Sequence, residues 1–460
     1  MANDNSPHRE QIDVISGARI LSQGWDSEVR YDIHIEDSNI KNIVSHTSGV
    51  GSYTPEKVLD ARNCLIAPSL CHAHIHLDKC FLLSDPKFAD LEIVKGDFAE
   101  AMEITAKAKA RFDKDDLLRR GKWLIAESIA AGVTHMRAFV EVDHIVRMKC
   151  LDAAIELKRY FATACDIQVC AFAQEPIYSG THGAANRELM EAAVFNEHVS
   201  VVGTTPYVEN DEDNMKKNIE WAIRMGSACI VHLDFHLDYN LDESRKIWTD
   251  FVVEKLESMS LYQRDRLSSE NTTVILSHCS RLTLHDEPDW RALSQRVQHL
   301  ELYFVGLPTS DLYMMGKPRV DQAGQGGGER VRGTLQIPQM IQKYGMQGAI
   351  AINNVGNAFT PYGSCDPLSI ASTGVGLYHA GTKQDAQTLY ECVSGRAIES
   401  IGHTLRSFAI GEPADFVLFD MGGAEGGLLS SQRGRKTLQE VLYDPPKERK
   451  TVFKGHLITT

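Results

Sequence analysis

Eight short apolar runs rich in Val, Ile and Phe recur through the middle of the chain, separated by long stretches of helical periodicity. They are "NCLIAPSL" near residues 64 to 71, "THMRAFVEV" from Thr134, "IQVCAFAQ" from Ile167, "VSVVGTTPY" from Val199, "ACIVHLDFH" from Ala228, "TTVILSH" from Thr272, "LYFVGLP" from Leu302 and "GAIAINN" from Gly348. Nearly continuous apolar runs of this length read as strands covered on both faces. The segments between them, such as "FAEAMEITAKAKARF", "KCLDAAIELKRYFA" and "NMKKNIEWAIRM", read as helices. Strand and helix alternating around eight strands is the count of a (β/α)8 barrel.

The ends follow a different pattern. Residues from about Gln11 to Asp60 alternate apolar and polar positions with period two, and so does the tail in "ADFVLFDM" and "TVFKGHLIT". The expected fold class is therefore α/β: a TIM barrel over residues 67–403, with a small β-sandwich built from residues 1–66 and 404–460. A chain of 460 residues is long enough for one large domain and a smaller one. The stretch "GGAEGGLLSSQRGRK" reads as a loop within the sandwich.

Net charge narrows the class of partner. At −14, the chain lacks the excess of Lys and Arg that a surface for phosphate or anionic lipid needs, so small molecules are expected and nucleic acid and membranes are not. No stretch approaches the roughly 18 uninterrupted apolar residues that span a bilayer, and "MANDNSPHREQ" lacks the apolar centre of a signal peptide; a cytoplasmic protein is expected. The 10 cysteines are scattered without a CxxC pair, as expected for reduced thiols in a core.

In such a barrel the active site forms at the C-terminal ends of the strands. The first run leads into "CHAHIHLDKC" with His74 and His76, the third ends in Gln174 and Glu175, the fifth in His236 and Asp238, the sixth in His278, and the eighth in Asn353 and Asn354. Residues i and i+2 of an extended strand point the same way, so His74 and His76 can offer two imidazoles to one ion, and His72 joins that face unless the chain turns first. A third imidazole from the fifth strand, either His232 or His236, leaves an open position on Zn²⁺ or Fe²⁺ where water can ionise near neutral pH.

The strings "PSLCHAHIHLDK", "AFAQE", "HLDYNLDESR", "LSHCS", "LPTSDLYMMG", "NNVGNAFTPYG" and "IGEPADFVLFD" resemble, in this order and over nearly the whole chain, the amidohydrolase superfamily. The likeness is to its cytosine deaminase branch, including the N-isopropylammelide amidohydrolases, whose HxHLD segment is followed by a lysine as Asp78 is by Lys79. The resemblance implies that His74, His76 and His236 bind one divalent metal, zinc first and iron second. It implies that Gln174 holds the substrate, that His278 activates or orients the metal-bound water, and that the chain forms homo-oligomers.

Two positions depart from the branch. Tyr239 stands where the deaminases have a glutamate that shuttles protons, and Asn353 stands where they have an aspartate that binds the metal and accepts a proton from its water. An amide cannot take that proton and is a weak ligand. Proton transfer would then fall to His278, Asp238 or the substrate itself, with Tyr239 also lining the substrate and Asp366 of "GSCDPL" a more distant acid. The resulting expectation is a hydrolase acting through metal-bound water on a non-peptide C–N bond of a small cyclic amide or amidine. The alternatives are a metal-assisted cyclisation, elimination or isomerisation, and a silent relative that only binds a ligand.

Overall fold

The computed structural model describes residues 7–22, 28–47, 57–62, 64–259, 272–315, 332–404, 407–420 and 435–459. The chain begins with β1 (His8–Gln11), β2 (Val14–Ile20), β3 (Tyr31–Glu36), β4 (Asn39–Ser45), β5 (Val58–Asp60) and β6 (Cys64–Pro68). It ends with β15 (Phe416–Asp420), β16 (Arg449–Phe453) and β17 (His456–Thr459). These strands pair in the order β1-β17-β16-β15-β6-β2-β3-β4, with β5 beside β2, so both termini enter one connected sheet. The sheet has its own core, which includes Ile15, Ile20, Ile33, Ile40, Ile66, Phe416, Leu418 and Val452. Residues 422–434 of the glycine-rich stretch lie outside the described residues.

The barrel strands are β7 (Leu70–His76), β8 (Val133–Glu141), β9 (Asp166–Ala173), β10 (Val199–Thr204), β11 (His232–Leu237), β12 (Val274–His278), β13 (Leu302–Gly306) and β14 (Gly348–Ile350). All pair in parallel with their sequence neighbours. The ring closes just beyond β14: the His76 backbone N–H donates to the Asn353 carbonyl at 2.8 Å, and the Asn353 N–H donates to the His74 carbonyl at 3.2 Å. The seam of the barrel thus runs through the residues singled out above.

The first predicted strand is in fact two. Cys64–Pro68 belongs to the terminal sheet, paired with β15 and β2, and the barrel strand starts at Leu70, so Ala67 and Pro68 also lie outside the barrel. The two strands follow without a loop and both are almost wholly buried, which merges them into one apolar run in the sequence. The histidines consequently lie inside a barrel strand and not after it. In β6 and β15, Ile66, Phe416 and Leu418 face the sheet's own core, whereas Leu65, Ala67, Val417 and Phe419 pack with the main core. Period two here carries a strand buried on both faces.

Gly132 sits at this junction. Its φ is +106°, and a Cβ would lie 2.6 Å from Val417 Cγ2 and 2.9 Å from Val417 Cβ. Gly132→Ala is expected to destabilise the fold by about 2–4 kcal/mol, the sum of backbone strain and overpacking, read as a fall in the urea midpoint. An unchanged midpoint would show that the two sheets can move apart at no cost.

The ten cysteines are free and nine are buried. Among the described residues no helix is long and apolar enough to cross a membrane.

Candidate metal centre and active site

His74 and His76 come from the end of β7 and His236 from the end of β11. All three are at most 2% exposed, and ligand-capable atoms of the three lie within 4.8 Å of one another. Burial pushes each imidazole well below its usual pKa, so the rings are held in the neutral form that ligates metal. His74 Nε2, His76 Nδ1, His236 Nε2 and Asn353 Oδ1 are buried without a hydrogen-bond partner among the described residues. Each orphan costs about 1–3 kcal/mol, so the three clustered imidazoles call for a species that satisfies them together. Three imidazoles suit a divalent transition ion.

Neighbouring groups fix the rings. His74 Nδ1 is 3.1 Å from Ser277 Oγ, which donates to Asp234 Oδ1 at 2.9 Å. Burial raises the Asp234 carboxyl to about 7 against the pull of Arg137, whose guanidinium lies 3.4 Å away. Phe139 stacks on His74 at 3.8 Å and Phe172 lies 4.4 Å from His236, closing the floor with apolar rings. Such outer contacts set imidazole orientation and tautomer.

The other two histidines of the two segments are excluded for visible reasons. Between His72 and Ile75 the pairing with β8 slips, three steps along β7 matching two along β8. This bulge breaks the period-two face. His72 Nε2 instead lies 3.0 Å from Ser128 Oγ on the helix Lys114–Ala130, and burial holds its pKa down to about 4. His232 starts β11, where its Nδ1 accepts the Thr273 N–H at 3.0 Å.

His278, Tyr239 and Asn353 border the cluster. The His278 ring is 5.1 Å from that of His236 and 3.9 Å from that of Tyr239. His278 Nδ1 is 3.0 Å from Asp311 Oδ1, and Asp311 Oδ2 accepts the Thr334 hydroxyl at 2.7 Å. Burial pushes the Asp311 carboxyl up from the ordinary range, with His278 opposing it. The Asn353 amide donates to Ser310 Oγ at 2.7 Å, and its Oδ1 is buried without a partner among the described residues. Tyr239 is half-buried, its hydroxyl 3.4 Å from the Ser310 carbonyl, and burial keeps the phenol protonated. With Phe98, Tyr207 and Phe359 it forms an aromatic wall, ring centroids 5.7 to 6.1 Å apart.

The structure does not bring Asp238 or Asp366 into this group as acids. Asp238 accepts the Trp248 N–H, the Thr249 N–H and the Thr249 hydroxyl at 2.7 to 2.9 Å, and so caps the helix Thr249–Glu257. Asp366 caps the helix Pro367–Leu377 and pairs with Arg449 at 2.7 Å. Both carboxylates are occupied by helix N-termini, a use of Asp that a strand-end rule alone does not distinguish.

Gln174 Oε1 accepts the Lys79 ammonium at 3.2 Å. Lys79 also donates to Glu141 at 2.7 Å, and Lys109 donates to Glu141 and Asp143 at 2.6 Å each and to Glu175 at 3.2 Å. Burial would raise the Glu141 carboxyl, but the two ammonium groups outweigh it and hold it low. This buried chain of charges fixes Gln174, and the sequence reading missed Lys109, Glu141, Asp143 and Asp311. Glu141 could have been found by the same rule as the others, since it is the last residue but one of a predicted strand and the last of β8; Lys109 lies within a predicted helical segment and carries no such signal.

The structure thus combines a parallel barrel carrying three clustered histidines with a sheet drawn from both termini. No protein-family model matches the chain. A curated relative, N-isopropylammelide isopropyl amidohydrolase of Pseudomonas sp. (strain ADP), is 24% identical over 210 residues, 45% of this chain and 49% of that relative; the match thus spans about half the relative's length. Among solved structures, 5-methylcytosine deaminase from Klebsiella pneumoniae aligns with a TM-score of 0.78 at 21% identity over 97% of both chains. N-isopropylammelide isopropylaminohydrolase from Burkholderia multivorans aligns at 0.72 and 19% identity, covering 96% of this chain and 97% of its own. These alignments show that the chain shares its fold, over nearly its whole length, with the two solved structures.

Proposed function

We propose that the protein hydrolyses a C–N bond, other than a peptide bond, in a small cyclic amide or amidine, using a single divalent ion held by His74, His76 and His236, with Asn353 Oδ1 as a weak fourth contact. The observation that carries this reading is the convergence of three buried imidazoles, each with a partnerless nitrogen, from two strands of the barrel. Zinc suits three imidazoles best, and iron is the second choice. A bound ion of this kind supplies a water of lowered pKa.

The chain's own residues handle the proton differently from an enzyme with a carboxylate at the eighth strand. His278 donates its Nδ1–H to Asp311, which leaves Nε2 to accept a proton on the side of the cluster. Asn353 holds its position without charge, and Tyr239 stays protonated and packs on the His278 ring. Gln174, with its oxygen engaged by Lys79, presents its NH2 group as a donor to a carbonyl or ring nitrogen. The aromatic wall favours a flat substrate.

A screen of cyclic amides, aminopyrimidines and aminotriazines for release of ammonia or amine tests the reading, with Asn353→Asp assayed beside the natural chain. The aspartate is expected to slow loss of the ion to a chelator by about tenfold or more and to add weak general deaminase activity. No change in either would place Asn353 away from the metal. Among the described residues no carboxylate joins the three-histidine cluster, which also favours a second reading, a metal-assisted isomerisation or elimination. Conversion of a substrate without incorporation of water oxygen would select it. A folded protein purified without bound metal would instead indicate a silent relative.

A further inference from the structure

We propose that His135, Asp166 and His403 form a second site for a divalent transition ion of the zinc type, at the N-terminal foot of the barrel. His135 is the third residue of β8 and Asp166 the first of β9, and the two are register partners across the parallel pair. His403 follows the helix Gly395–Ser400 after a turn at Gly402, where φ is +86°. Ligand-capable atoms of the three lie within 4.8 Å of one another. The His135 and His403 rings are 4.9 Å apart at 65°, an edge-on arrangement that leaves both rings able to direct a nitrogen to one point.

The surroundings hold the three in place. His135 Nδ1 is 2.8 Å from Thr134 Oγ1, itself 2.6 Å from Ser69 Oγ, so a hydroxyl chain orients the ring. The approach of His403 is set from the barrel floor: Gln168 donates to the Ile401 carbonyl at 2.6 Å and Thr273 to the Ser400 carbonyl at 2.6 Å. Two imidazoles and a carboxylate form a zinc-type donor set, whereas calcium and magnesium require mainly oxygen ligands. The foot of a barrel serves stability and not catalysis. An ion here joins two strand starts to the segment by which the chain leaves the barrel for the terminal sheet.

The test uses the full chain with the upper site removed by His74→Ala and His236→Ala, dialysed against zinc and, for its spectrum, cobalt. The double variant is expected to bind one ion per chain, to show a visible cobalt band and to gain several degrees in unfolding temperature on adding zinc. Adding His403→Ala, or the isosteric Asp166→Asn, is expected to abolish all three responses. A folded double variant that binds no ion overturns the proposal, as does one equivalent retained after both foot substitutions. Two equivalents in the double variant would count against the upper site and leave the lower one to be judged by the foot variants.

Discussion

Replacing His74 or His236 by alanine is expected to lower bound metal at the upper site from about one ion per chain to below about a tenth, and turnover by about 10³-fold or more. The size of the effect follows from the donor set. Asn353 supplies an uncharged oxygen, so no carboxylate among the described site residues can hold the ion once an imidazole is lost. Metal analysis after gel filtration, with activity on a substrate from the screen, reads both losses. Full metal retention at the upper site in both variants would remove the basis for the assignment. His72→Ala is the internal control, because that ring bonds Ser128 outside the cluster and its loss should leave metal content unchanged.

The largest effect on stability is expected from Glu141→Gln, about 3–5 kcal/mol in urea unfolding, because Lys79 and Lys109 would both lose a buried charged acceptor. The carboxyl is held to about 2, below its ordinary range. Its contribution is therefore complete above the unfolded pKa of about 4.3 and is lost as pH falls through the folded value. The natural chain should lose more stability on acidification through that window than the variant does. Glu103→Gln, which breaks an exposed helical pair with Lys107, should shift neither curve measurably. Equal urea midpoints for Glu141→Gln and the natural chain would mean that water, and not the two lysines, satisfies that carboxylate.

Much of the fold was legible because barrel strands are apolar on both faces and therefore interrupt helical periodicity in a recognisable way. The histidines were legible because β7 is extended and aims His74 and His76 together, with His236 at the end of a later strand. The handover from β6 to β7 was not, since a buried strand of one sheet leads directly into a buried strand of another. Nor was the bulge that turns His72 outward, which depends on pairing with β8 and not on the composition of β7. Lys79, Lys109 and Glu141 meet across separations of 32 and 62 residues, and a charge that will be buried looks in sequence like one that will be solvated. The hydrogen bonds of Asp238 and Asp366 were not legible for the converse reason: a carboxylate beyond a strand can be taken up by the start of a following helix.

Three strand-end residues, Asp238, His278 and Asn353, have left-handed backbone, with φ of +48°, +67° and +71°. Asn and Asp tolerate this conformation better than most other residues with a side chain. At position 353 the backbone demand is met almost equally by an amide and by a carboxylate, although the two give the ion different charge and the water a different proton acceptor. Exchanging that side-chain NH2 for oxygen therefore leaves the backbone at 353 unchanged and asks only that the Ser310 hydroxyl turn from accepting the amide to donating to the carboxylate. That separation makes position 353 a natural starting point for evolving new reactions on this framework.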